Sequence, residues 1–275
     1  MSDVNITLKL KFTILSDILY QRITMKNILL FLLLATTAIT CLAGEESIMA
    51  DRPGFSTGTY TVKPHVFNVE LGYQHAFSNN GSEQSSQSLP LMVLRTGLSE
   101  KIEFDLLWDG LNIDKEKNQP TTTSKADVSV GGKYRIYESE QYNFTALGIL
   151  SLPTGTSPSK SNHVDPLFGL LWDYSLTENT SLFGTIQASS YEVDSSRIYD
   201  AQAAIGASFS HTESIGTFVE IYTIVPSKST LEREHVLDGG VTYLLTQDIQ
   251  LDFNIGIGLN DSSPHFVGFG IASRF

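Results

Sequence analysis

The last residues of this 275-residue chain alternate in character. Val267, Phe269, Ile271, Ser273 and Phe275 fall on one side of an extended chain, and Gly268, Gly270, Ala272 and Arg274 on the other. Successive side chains of a strand face opposite sides, so this pattern predicts a strand with one apolar face, ending on an aromatic ring. Terminal strands closed by Phe are the usual insertion signal of β-barrels of the bacterial outer membrane. The feature therefore sets expectations for compartment, fold and topology together, with the Phe275 strand presented to the barrel-assembly machinery.

The N-terminus predicts export. Met25-Lys26-Asn27 is a short basic start, Ile28–Ala35 is an uncharged apolar run, and Cys41-Leu42-Ala43 places small side chains where a signal peptidase reads. We expect a signal peptide over residues 1–43, with translation beginning at Met1 or at Met25. The apolar run falls short of the ~20 residues a membrane helix needs. Cleavage after Ala43 removes the only cysteine, Cys41, and with it any disulfide, Cys-bound metal or thiol nucleophile. Residues 1–43 hold four of the 18 Lys/Arg and two of the 30 Asp/Glu, leaving 14 against 28 and a net charge of −14 on the mature chain. Such a surface excludes nucleic acid as a partner.

No later segment is apolar for long enough to form a membrane helix, but a barrel hides its signal, because lipid-facing and lumen-facing residues alternate. From residue 64 the chain divides into strand-like segments at 65–77, 88–98, 101–110, 125–137, 141–152, 165–176, 180–191, 198–210, 214–225, 235–245, 249–260 and 266–275. The connections alternate long and short, as loops and turns do in such barrels. The expected fold is all-β, a transmembrane antiparallel up-and-down barrel of about twelve strands over residues 64–275. The second segment resists assignment, since both its faces are mostly apolar. Residues 44–63, rich in turn formers, are expected either to lie in the periplasm or to fold back into the lumen as a plug. On the lipid face, Tyr134, Tyr142, Tyr174, Phe209, Tyr243 and Phe275 gather near one end of the strands and predict an aromatic girdle against outer-membrane lipid.

A cation facing lipid at mid-depth costs ~2–4 kcal/mol, so mid-strand charges should face the lumen. Parity places Glu70, Asp127, Asp173, Glu220 and Asp238 there as lumen-lining candidates for contact with a solute, and they would disfavour anions. Folding the third segment on the fourth about Gln119 predicts the pairs Glu103–Arg135 and Asp105–Lys133. Folding the last hairpin about Ser263 predicts Asp252–Arg274. These pairs have a structural reading, charge neutralisation on the lumen wall. No pair of the six histidines has ligand spacing, so no metal, cofactor or catalytic residue is assigned. Ser-His-acid sites are spatial and stay open from sequence.

Ala50-Asp51-Arg52-Pro53-Gly54-Phe55 with the Ser/Thr-Gly stretch after it, Glu70-Leu71-Gly72-Tyr73, Asp238-Gly239-Gly240-Val241-Thr242-Tyr243-Leu244, Gln250-Leu251-Asp252, Gly256-Ile257-Gly258-Leu259-Asn260 and the Gly268-to-Phe275 close carry a resemblance. Together they resemble the bacterial outer-membrane proteins grouped under the meta-pathway of phenol degradation. That resemblance implies an outer-membrane barrel and uptake of small hydrophobic or aromatic solutes, and it carries over no substrate-binding residue. The expectation is a passive channel or transporter for a solute of unknown identity, with loops 111–124 and 153–164 shaping its external mouth. A closed structural or surface-binding barrel, and a barrel-embedded hydrolase, are the alternatives.

Overall fold

The computed structural model describes residues 46–78, 83–193 and 196–275. The expected signal peptide and its cleavage site lie outside the described residues. The strands are β1 (Phe67–Phe77), β2 (Gln84–Ser99), β3 (Ile102–Trp108), β4 (Leu111–Glu116), β5 (Thr122–Lys125), β6 (Val128–Glu138), β7 (Tyr142–Leu152), β8 (Asp165–Thr177), β9 (Thr180–Val193), β10 (Ser196–Ser210), β11 (Ile215–Pro226), β12 (Glu234–Thr246), β13 (Ile249–Gly258) and β14 (His265–Arg274). All pairings between them are antiparallel, and β1 pairs with both β2 and β14, which closes the sheet. Twelve of the strands make the wall; β4 and β5 form a hairpin that pairs with the outer half of β2 and extends past β3 and β6.

The barrel is apolar outside and charged inside. In β13, Leu251, Phe253, Ile255 and Ile257 are 38–47% exposed, while Gln250, Asp252 and Asn254 between them are at most 7% exposed. A barrel stabilised by water would show the opposite arrangement, with apolar side chains packed inside. The same inversion runs round the wall, with Phe104, Phe168, Ile186, Ile205 and Phe269 outward and Glu70, Glu103, Lys133 and Glu220 buried.

The structure explains why the second segment was ambiguous. The inward face of β2 carries Arg95 and Gly97 near Ser99 but Ser86 and Ser88 near Gln84, because the β1–β2 register shifts between Gly72 and Gln74. Leu89 and Pro90 occupy that shift, and proline has no N–H to give to the ladder. Across from them, Gly110 separates β3 from β4 with φ +71°, and a Cβ there would lie 2.4 Å from the carbonyl of Leu89. The bulge reverses the parity of β2 halfway along, so no single alternation could describe it.

The expected loop 111–124 is largely strand. Leu111 to Asp114 pair with Lys125 to Thr122, and the hairpin turns at Asn118, whose φ is 61°. The connection expected over 192–197 is also shorter, because β9 runs to Val193 and β10 starts at Ser196. The short turns, at 100–101, 139–141, 178–179, 211–214 and 247–248, share one end of the barrel, termed here the turn end.

Candidate functional site

The lumen is crossed by the chain itself. Residues 46–66 enter at the turn end, where Ile48 N–H donates to Gln247 O (2.7 Å) and Arg274 Nη1 to Glu46 O (2.7 Å). The segment then runs across to β11 and returns to β1, and the wall holds it almost residue by residue. Asp51 and Arg52 donate their backbone N–H groups to the Glu70 carboxylate (3.0 and 3.1 Å), and Phe55 and Ser56 donate theirs to Glu220 (2.5 and 3.2 Å). The Arg52 guanidinium meets Asp252 through two bonds, Nε–Oδ2 at 3.3 Å and Nη2–Oδ1 at 3.2 Å. Asn254 Nδ2 donates to Pro53 O (3.0 Å), Thr59 Oγ1 to Asp173, and Val62 N–H to Glu103. Arg135 lies over the Tyr60 ring, 5.5 Å from its centroid. The segment has turn residues and no pairing pattern of its own, so the wall satisfies its backbone polar groups in place of a sheet.

Two cations on the wall anchor it. Arg95, 1% exposed, donates to Glu70 (2.9 Å), to Glu103 through Nε (2.8 Å) and to the Met49 carbonyl (3.0 Å). Lys133 Nζ bonds both Asp51 carboxylate oxygens (2.6 and 2.7 Å) and the Gly58 carbonyl (3.0 Å). Removing one partner from a buried set of this kind costs ~3–5 kcal/mol. Gly72 and Gly270 make the slot for Arg52: a Cβ on either would lie within 2.4 Å of its guanidinium nitrogens. Sequence reading missed Arg95 because of the parity reversal in β2. It missed Arg52 because that segment was not assigned to a wall; the available signal was that Arg52 is the single cation between residues 44 and 62.

The three expected cross-strand ion pairs are corrected. The β3–β6 hairpin turns at Asn118, one residue before Gln119, since Asn accepts a left-handed conformation that most side chains resist. That moves the register by two, placing Glu103 opposite Lys133 and Asp105 opposite Gly131. Arg135 consequently pairs with Glu138 (2.5 Å), and Asp105 lies across from Arg95 on β2. In the last hairpin a tight turn, with Ser263 N–H donating to Asn260 O (3.1 Å), sets Asp252 opposite Gly270. Asp252 takes Arg52 instead, and Arg274 takes Asp248 (2.6 Å).

Of the lumen-lining candidates, Glu70, Asp173 and Glu220 are occupied by residues 51–59. Asp127 lies just outside β6 and holds the 153–164 loop by accepting from Gly155 N–H (2.6 Å) and Ser161 N–H (2.7 Å). Asp238 is 3% exposed; no group of the crossing segment donates to its carboxylate, whose neighbour across the strand pair is the Glu220 carboxylate. The aromatic candidates stand on the outer surface near the turn end. Tyr142 and Tyr174 are cross-strand partners with ring centroids 4.8 Å apart, and Tyr134, Phe209, Tyr243 and Phe275 are exposed. The histidines have unrelated partners: His163 meets Glu192, His211 meets Thr217 (2.7 Å), His235 meets Thr223 (2.8 Å), and His265 accepts from Gly258 N–H (3.2 Å).

A closed, inside-out barrel threaded by its own Asp51-Arg52-Pro53-Gly54 segment can be compared with known proteins. Residues 50–275 match the family model described as "Putative MetA-pathway of phenol degradation". The chain belongs to this family. Among curated proteins none matches the sequence. Among solved structures, the chain is similar to the COG4313 outer membrane channel from Pseudomonas putida F1, with TM-score 0.63 and 13% identity over 82% of this chain and 99% of that one. It is also similar to the NanC porin, with TM-score 0.50 and 10% identity over 75% of this chain and 98% of that one. At these identities the likeness is one of fold, and the fold is that of outer-membrane barrels. The family match starts within the lumen-crossing segment, so this family member's wall and its occupant fall within one matched region.

Proposed function

We propose that this family member is an outer-membrane channel through which small solutes pass passively, and that residues 46–66 control the passage. The observation that carries this reading is the inversion of the wall: a continuous apolar exterior suited to lipid encloses buried carboxylates, amides and cations that no soluble barrel would place inside. The turn end faces the periplasm, so both termini of the barrel lie on that side, and the exposed tyrosines there meet the lipid headgroups. The strand ending at Phe275 is the segment the assembly machinery reads. At the opposite end a cavity of about 590 Å³ lies between β1, the β4–β5 hairpin and the 227–233 and 259–264 loops, with Asp114, Glu116, Glu232, Glu234 and Asp261 against the single cation Lys115 on its rim. Its acidic rim favours neutral or cationic solutes over anions. The family's name and the aromatic side chains Phe55, Tyr222 and Phe266 above the crossing segment support small aromatic solutes as cargo.

One observation favours a second reading. The crossing segment is held across the lumen by many bonds to buried charges, as the filling of a purely structural barrel would be. Single-channel recording of the refolded protein in a planar bilayer separates the two. A channel controlled by the segment gives small or intermittent current in the full chain, and larger steady current when residues 44–63 are deleted. Silence in both, with heat-modifiable migration confirming that both barrels fold, would rule out the channel.

A further inference from the structure

Above the crossing segment, on the side facing the loops, the lumen contains a cavity of about 230 Å³. Its floor is Pro53-Gly54-Phe55, and its wall includes Tyr222, Phe266, Gln74, Asn254 and Asp238. Phe55 and Tyr222 stack with ring centroids 4.2 Å apart and planes 8° from parallel, so one side is aromatic and rigid. The opposite side is polar and, Gln74 apart, offers acceptors. The Pro53 carbonyl can only accept, so Asn254 turns its amide nitrogen to it (3.0 Å), which leaves the amide oxygen as the group it can offer elsewhere. Asp238 contributes a buried carboxylate to which the crossing segment brings no donor.

The charge balance has the same sense. Asp238 is the cross-strand partner of Glu220, whose carboxylate accepts from Phe55 and Ser56 N–H. Two neighbouring carboxylates in a low-dielectric lumen are repulsive unless they share a proton or a positive charge joins them. The crossing segment brings only neutral N–H groups to this pair, while its one guanidinium, Arg52, is committed to Asp252 on the next strand. Carboxylate and amide acceptors, a net negative charge and aromatic faces together favour one class of ligand: a group of hydrogen-bond donors carrying positive charge on a compact apolar body.

We propose that this cavity is a binding site for a small organic cation, a primary ammonium on an aryl or short alkyl group. The ammonium donates to the Asp238 carboxylate and the Asn254 amide oxygen, and its apolar part lies against Tyr222 and Phe266. Cation attraction to aromatic faces and the charged hydrogen bond act in the same direction. The cavity is smaller than the ~300–1,000 Å³ typical of drug-sized ligands, which limits the solute to a single ring or a short chain. The site deepens the channel reading and rests on it, since a solute must reach the lumen from the loop end.

The test is equilibrium binding to the refolded, detergent-solubilised full barrel by isothermal titration calorimetry, with benzylammonium, benzyl alcohol and benzoate as probes. Expected is saturable one-to-one binding of benzylammonium, at least about tenfold tighter than benzyl alcohol, with benzoate weakest. Asp238→Asn should abolish that preference, and Asp165→Asn, at the loop end of β8, should retain it. Equal binding of the ammonium and the alcohol, no saturable binding, or a preference that survives Asp238→Asn would overturn the site. The wild-type comparison decides by itself if Asp238→Asn does not fold. Because no transport is measured, amine binding by a silent barrel would reject the channel and retain the site. Conductance without amine preference would do the reverse.

Discussion

Arg95 shows how much one side chain can organise in a lumen. It faces inward among Glu70, Glu103 and Asp51, with distances of 2.9, 2.8 and 3.3 Å, and it also binds the Met49 carbonyl of the crossing segment. Arg95→Met should leave these carboxylates buried without their cation and lower stability by about 3–5 kcal/mol. The urea midpoint of refolding into lipid vesicles reads that loss. Arg95→Lys should recover only part of it, because an ammonium cannot reproduce a planar fork of donors. Arg52 has a different role, since it belongs to the crossing segment. Arg52→Ala releases one clamp while Asp252 can still be hydrated once the segment shifts. The expected outcome is a folded barrel with more frequent openings in single-channel recordings; unchanged current would mean that the Arg52–Asp252 bond does not control the segment. Asp238 and Glu220 were recognisable from strand parity as inward acids. That one would accept from the crossing segment and the other would not was beyond reach, because strand parity gives a side of the sheet and says nothing of what lies across the lumen.

The elements were legible wherever one parity held along the strand. β13 alternates without interruption and was read within two residues of its observed span, as was β7. β2 was not, because its bulge at Leu89–Pro90 exchanges the two faces, and the compensating break falls at Gly110, between β3 and β4. This predicts a difference between glycines. Gly110→Ala must adopt a positive φ and meet the Leu89–Pro90 backbone, costing about 1–3 kcal/mol. Gly148→Ala meets only the Phe168 ring at 3.8 Å, an ordinary contact, and should be close to neutral. Paired urea titrations compare them, and equal losses would show that the bulge and Gly110 do not act together. The β4–β5 hairpin was read as polar loop because its residues are short, charged or Thr-rich, and a ladder in water needs no apolar face to betray it.

At the scale of the whole molecule the deciding fact is the inversion of inside and outside. Phe253 lies midway along the outer face of β13 and is 47% exposed. Replacing it by Arg should reduce stability in bilayers by about 2–4 kcal/mol, measured as the shift of the refolding midpoint in vesicles. A shift near zero would mean that this face does not meet hydrocarbon. The crossing segment gives the barrel a second layer. A wall of twelve strands encloses limited space, and here chain fills its centre, leaving a cavity on the loop side and a mouth at the rim.

The sequence by itself determined the wall: its strand number, its alternation, its short and long connections and the sense of its two faces. Those properties are local, since a strand's faces follow from the tetrahedral geometry of each residue and from how often apolar side chains recur. Tertiary structure decided what the wall encloses. Whether residues 46–66 lie beside the barrel or within it, which carboxylates they occupy and which one they leave bare all depend on contacts across the lumen between residues far apart in the chain, such as Arg52 with Asp252. No periodicity encodes such a contact, because it is fixed by the register of every strand together and by the need of each buried charge for a partner.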